Sequence, residues 1–80
     1  MEITYSRSAV KTINGMDRTT KKRVRSAIEK LPDGDIKPLK GNLGTYRLRV
    51  GDWRVLFSYP DDGIILIEKI GSRGGVYKGV

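Results

Sequence analysis

The segment Thr45-Tyr-Arg-Leu-Arg-Val-Gly-Asp-Trp-Arg-Val-Leu-Phe-Ser-Tyr59 leaves this chain little freedom in how it folds. Two alternating runs flank Gly51-Asp52, the pattern of a two-residue hairpin turn with glycine at its first central position. Such a turn sets the register: Val50 faces Trp53, Arg49 faces Arg54, Leu48 faces Val55, and Arg47 faces Leu56. Side chains alternate across a strand, so Tyr46, Leu48, Val50, Trp53, Val55 and Phe57 share one face, expected to be the buried one. Arg47, Arg49 and Arg54 share the other, with Leu56. Two arginines directly opposite one another destabilise a sheet by a few tenths to about 1 kcal/mol. A solvated polar face would account for one such residue; the pair points instead to a polyanionic ligand.

Eighty residues make one domain, spanning 1–80. A chain this short buries roughly 60% of its unfolded surface, enough for one sheet and a pair of helices. With no cysteine and no histidine, a disulfide framework, Ser-His-Asp catalysis and Cys-His catalysis are excluded, and a zinc site is not expected. Any catalysis must run on Arg, Lys, Tyr, Asp or Glu, and no cofactor is expected. The 16 Lys and Arg outnumber the 9 Asp and Glu, a net charge of +7, which suits nucleic acid, an anionic membrane or an acidic protein as partner. No apolar run is long enough to span a bilayer, and a secretory h-region is not evident. The composition fits a reducing cytoplasm.

Along the chain, Glu2 to Ser6 alternates and reads as a first strand. Ser6 or Ser8 is placed to cap a short helix with Ala9, Val10, Ile13 and Met16 inward. Asn14-Gly15 ends it, both residues tolerating the left-handed conformation. Asp17 caps a second helix running to about Leu31, with Val24, Ala27, Ile28 and Leu31 on one stripe, and Pro32-Asp-Gly34 stops it. Asp35 to Gly44 reads as a connector in which Leu39-Lys40-Gly41 tucks a leucine under the sheet edge. The hairpin strands follow, then a turn at Pro60-Asp-Asp-Gly63 and the most apolar strand, Ile64 to Ile70, placed centrally and covered on both faces for much of its length. Gly71-Ser-Arg-Gly-Gly75 reads as a flexible loop and Val76-Tyr77 as a short final strand or extension. The order predicts an α+β domain: an N-terminal strand, a helical hairpin, then a three-stranded antiparallel meander, with the helices on one face of a small, mostly antiparallel sheet.

The candidate site residues are basic. Arg47, Arg49 and Arg54 offer planar guanidinium groups that match phosphate oxygens bidentately. Arg73 lies in a glycine-flanked loop that can adjust to a ligand. Lys21, Lys22 and Arg25 fall on the second helix, and with Lys40 they form a backbone-positioning patch if the partner is RNA. Asp52, Asp61 and Asp62 sit at turns, where Asp is expected for local hydrogen bonding. Glu68 is a candidate partner for an arginine.

Taken in order, Leu39-Lys-Gly, Tyr46-Arg-Leu-Arg-Val-Gly-Asp-Trp-Arg-Val-Leu-Phe and Ile70-Gly-Ser-Arg-Gly-Gly-Val-Tyr77 resemble the RelE/ParE superfamily of bacterial toxins from type II toxin–antitoxin modules. The resemblance covers nearly the whole chain. It implies one of two activities. RelE-like members cleave messenger RNA in the ribosomal A site with basic residues on the central strands, an arginine after the last long strand and a tyrosine near the C-terminus. ParE-like members inhibit DNA gyrase and generally lack that full set. Here Arg47, Arg49, Arg54, Arg73 and Tyr77 stand at the matching positions, so the resemblance favours a ribosome-dependent endoribonuclease. It also implies a cognate acidic antitoxin and contact with 16S ribosomal RNA and mRNA.

Those residue types fit metal-independent cleavage, in which the ribose 2′-hydroxyl attacks its own phosphate. The expected products are a 2′,3′-cyclic phosphate and a 5′-hydroxyl. Arginines can stabilise the phosphorane but do not give up a proton. Tyr77 is the leading candidate for proton transfer, because nearby cations favour the phenolate. Two departures stand out. Arg47 and Arg49 replace the lysines of many members, and only Lys78-Gly79-Val80 follow Tyr77, where many members carry a helix or longer tail. Both features also suit a catalytically weak member that mainly binds its antitoxin.

Overall fold

The computed structural model describes residues 1–41 and 43–72. Five strands and two helices run in the order β1 (Glu2–Tyr5), α1 (Arg7–Asn14), α2 (Arg18–Glu29), β2 (Asp35–Pro38), β3 (Thr45–Val50), β4 (Trp53–Asp61) and β5 (Ile64–Ser72). The sheet order is β1-β5-β4-β3-β2. β1 is parallel to β5, and every other pairing is antiparallel. The α+β architecture is as the sequence predicts, with one strand more: the meander has four strands.

The extra strand is β2, in the segment read as a connector. Asp35 pairs with Arg49, Ile36 with Leu48, Lys37 with Arg47 and Pro38 with Tyr46. A proline in a strand is tolerated at a sheet edge, where its missing N–H leaves no ladder bond unmade. Leu39 then donates its amide to the Thr45 carbonyl (2.8 Å) and is half-buried.

Both helices lie on one face. Ala9, Ile13, Val24, Ile28 and Leu31 pack there against Leu48, Val50, Val55, Phe57, Ile65, Ile67 and Ile70. Tyr46 stacks on Phe57 at 5.7 Å between ring centroids. Val10, expected inward, is 43% exposed, because an eight-residue helix presents only a narrow stripe to the sheet. Gly15 ends α1 at φ −86°, in the right-handed region rather than the left-handed one, and its amide bonds back to Lys11 and Thr12.

Ser6 joins the helical layer to the sheet. Its amide donates to Ile67 O (2.9 Å), its hydroxyl donates to Glu68 O (2.7 Å), and its oxygen accepts from Ala9 N (3.0 Å) as the α1 N-cap.

β4, not β5, is the middle strand. β5 lies beside it, and its residues alternate between buried and partly exposed instead of being covered on both faces. Leu56 pairs with Lys69 and Phe57 with Ile67, leaving Glu68 as an extra residue in a β-bulge. The bulge is why Ile67 and Ile70, three apart, both reach the helical side. β5 also continues through Gly71 and Ser72, opposite Arg54 and Trp53, so these two residues belong to the strand and not to a loop. Val76 and the remainder of the proposed C-terminal extension lie outside the described residues.

Candidate active site

The hairpin register agrees with the sequence reading at every pair from Arg47–Leu56 to Val50–Trp53. Gly51 adopts φ +60°, the left-handed conformation that such a turn requires and glycine tolerates. Arg47, Arg49 and Arg54 therefore project from the sheet face opposite the helices. β2 adds Asp35 and Lys37 to that face, in register with Arg49 and Arg47.

The three arginines differ in what holds them. Arg54 folds back on the turn, with Nη1 donating to Gly51 O and to Trp53 O, each at 3.1 Å. Arg47 is paired with Asp35 at 3.6 Å, and its side chain is only 14% exposed. Arg49 is exposed between them. The like-charge pair is thus relieved on one side, by turning the Arg54 guanidinium onto backbone carbonyls. The result is one exposed guanidinium flanked by two oriented ones, a preorganised positive surface able to hold an anion.

Leu56, on the same face, is 1% exposed. Its register partners are Arg47 and Lys69, and the methylene stems of such residues cover apolar surface while their charged ends stay in water. The Glu68 carboxylate accepts from the Ser58 hydroxyl, and among the described residues it pairs with no arginine.

The other basic candidates lie elsewhere. Lys21 and Arg25 line a shallow pocket of about 210 Å³ with Tyr5, Val10, Ile13 and Asn14, on the helical side of the sheet. Lys21 Nζ donates to Asn14 Oδ1 at 3.5 Å. Burial pushes the Tyr5 phenol above its ordinary pKa; Arg25 offsets this in part and Glu29 adds to it, so Tyr5 stays protonated. Lys22 is exposed on α2, and Lys40 is exposed after β2. Arg73 and Tyr77 lie outside the described residues. Among the described residues, no group of three or more His, Cys, Asp or Glu is placed to hold a metal ion, and no helix is long and apolar enough to cross a membrane.

Two residues near the arginines escape a reading of the sequence alone. Lys37 joins the face only because β2 is a strand. Arg23 reaches the hairpin from α2, its Nη2 lying 2.9 Å from where a β-carbon on Gly51 would sit.

This fold has counterparts. Residues 3–77 match the family described as ParE toxin of type II toxin–antitoxin system, parDE, and the chain belongs to that family. It is a toxin of the RelE/ParE superfamily. It is 51% identical over 45 residues to a Methanocaldococcus jannaschii protein named RelE1, a match covering 55% of this chain and half the length of that relative. Among solved structures, it resembles a chain of the RelB–RelE antitoxin–toxin complex from Methanococcus jannaschii at a TM-score of 0.75 and 23% identity, covering 92% of this chain and 94% of that one. It also resembles a chain of the archaeal RelE–RelB complex from Pyrococcus horikoshii OT3 at a TM-score of 0.70 and 28% identity, covering 91% and 94%.

Proposed function

We propose that this toxin is an endoribonuclease that cuts messenger RNA in the ribosomal A site, without a metal. The observation that carries the reading is the exposed Arg49 set between the oriented Arg47 and Arg54 on the sheet face opposite the helices. A phosphate seated there meets the exposed Arg49 guanidinium, with the charges of Arg47 and Arg54 on either side. As the 2′-oxygen attacks, a phosphorane forms with additional negative charge, and the guanidinium groups stabilise it more than they stabilise the ground state. The 2′-hydroxyl loses its proton, the bond from phosphorus to the 5′-oxygen breaks, and that oxygen takes up a proton. Arginine does neither transfer, since its pKa exceeds about 12. Tyr77 is assigned that role, with Arg73 adding charge at the phosphate. A chain without histidine or cysteine has little to align an RNA strand by itself, so the ribosome supplies the alignment, which places the activity in the cytoplasm.

The partner that restrains this activity is an acidic antitoxin covering the arginine face. Its support is the charge of the chain and the similarity to toxins solved as antitoxin complexes.

The test is primer extension on messenger RNA with programmed ribosomes whose A site is empty, with naked RNA and EDTA-treated reactions as controls. A cut within the A-site codon that is absent on naked RNA, is indifferent to EDTA and is lost in Tyr77→Phe is the expected result. Intact message with folded protein and active ribosomes overturns the reading. One observation favours a second reading: the matching family is described by its ParE members. Inhibition of DNA gyrase, detected as loss of supercoiling activity on titration with the protein, would then be the function, with the arginine face a protein-binding surface.

A further inference from the structure

A second basic surface lies around the edge of the sheet from the arginine face. A cleft of about 370 Å³ opens between α2 and the β2–β3 edge, and Arg23, Ser26, Lys30 and Arg49 line it, with Asp33 and Asp35. Asp35 is already engaged by Arg47, so positive charge dominates the lining. The Arg23 guanidinium lies against Gly51 on one side of the hairpin turn. Arg54 Nη1 holds the Gly51 carbonyl at 3.1 Å. Two guanidinium groups from different elements thus converge on one turn. Among the described residues, neither Arg23, Lys30 nor Arg49 has a side-chain hydrogen bond or ion pair. Such gathering of unpaired like charge is unfavourable in the isolated protein and is relieved by an anion.

The geometry points to this cleft as a second phosphodiester subsite, which carries the RNA strand from the arginine face over the Gly51 turn and along α2. Arg49 lines the cleft and also stands on the arginine face, so it is the point of continuity. The subsite reads no base. Arg23 and Lys30 meet backbone phosphates as charges, and the Ser26 hydroxyl adds a neutral donor. RNA as the ligand rests on the ribonuclease reading above; the strand is either messenger or ribosomal.

Fluorescence anisotropy with a labelled 2′-O-methyl RNA oligonucleotide, which has the backbone but no free nucleophile, tests this. Arg23→Ala/Lys30→Ala is expected to weaken binding equally for unrelated sequences. It should flatten the plot of log affinity against log salt by about 0.7 for each phosphate that the variant no longer neutralises. Arg7→Ala/Lys11→Ala removes the same charge from α1 and should leave that slope unchanged. Equal slopes for the two double variants overturn the subsite. So does a cleft variant that loses affinity for an acidic peptide while RNA binding is unaltered, since the cleft would then be a protein site. Pelleting with ribosomes separates the sources: a defect on ribosomes lacking message assigns the strand to ribosomal RNA, and one confined to programmed ribosomes assigns it to mRNA. A flattened slope in a protein whose wild type cuts no message keeps the subsite and removes the ribonuclease reading. A wild type that binds no RNA, free or on the ribosome, removes both.

Discussion

The Arg23 guanidinium occupies the space a side chain at position 51 would need: a β-carbon on Gly51 would meet Arg23 Nη2 at 2.9 Å. Position 51 is constrained twice, by its φ of +60° and by this neighbour. The second constraint is soft, because the end of an arginine can swing away. The first is not. Gly51→Ala is expected to lose about 1–2 kcal/mol of stability from the left-handed backbone alone, read as a lower midpoint in urea unfolding. Gly51→Asn should lose less, because asparagine tolerates that conformation.

Arg49 and Arg54 are directly opposite across β3 and β4, a pairing that opposes folding. Arg49→Gln is therefore expected to raise stability by a few tenths to about 1 kcal/mol. The same change removes the exposed cation at the centre of the candidate site. On the ribonuclease reading it should slow A-site cleavage on the order of 100-fold, the typical loss when one charge-stabilising donor is removed. Thermal unfolding and primer extension on one preparation give both numbers. A variant that is more stable and equally active would show that the pair serves some other ligand.

What the sequence made legible follows from where its local signals agree. The register of β3 and β4 was readable because a glycine turn and a period of two impose the same answer. The Asp17 cap and the stripe through Val24, Ile28 and Leu31 were readable for the same reason. β2 was not, since Asp35-Ile-Lys-Pro38 has one apolar side chain and a proline; it is a strand only because β3 pairs with it. The Glu68 bulge was hidden in an apolar run that carries no visible period. Within the candidate site, the common face of Arg47, Arg49 and Arg54 came directly from alternation. Arg23 could not, because its approach to Gly51 depends on how α2 lies over the sheet. The same holds for the separation of Lys21 and Arg25 from that face, and neither packing angle nor helix placement is written in a periodicity.

Leu56 shows a limit of alternation itself. It falls on the face without helices, where a leucine would ordinarily be wetted, and yet it is 1% exposed. If it were a surface residue, Leu56→Ala would be nearly neutral. Its burial predicts a loss of about 2–3 kcal/mol, toward the lower part of the range for buried leucine truncations, because the side chains over it can partly settle into the gap. Chemical denaturation measures this directly. Leu56→Met, close to it in volume, should lose much less.

Asp17 gives the fold a pH-dependent term of known sign. Its carboxylate accepts from Thr20 N at 3.2 Å at the start of α2, and hydrogen bonding to Thr20 holds its pKa below the ordinary value. A group whose folded pKa is depressed adds stability above its unfolded pKa, and that stability fades as pH falls through the folded one. Asp17→Ala should therefore lower the unfolding temperature at neutral pH, and the difference from wild type should shrink as the pH is taken below the carboxylate range. Asp17→Asn separates the two contributions. Asparagine caps a helix about as well as aspartate but does not titrate, so this variant should keep most of the neutral-pH stability and lose the acid-dependent part. An Asp17→Ala penalty that stays constant down to strongly acidic pH would show that the carboxylate does not hold α2 through its charge.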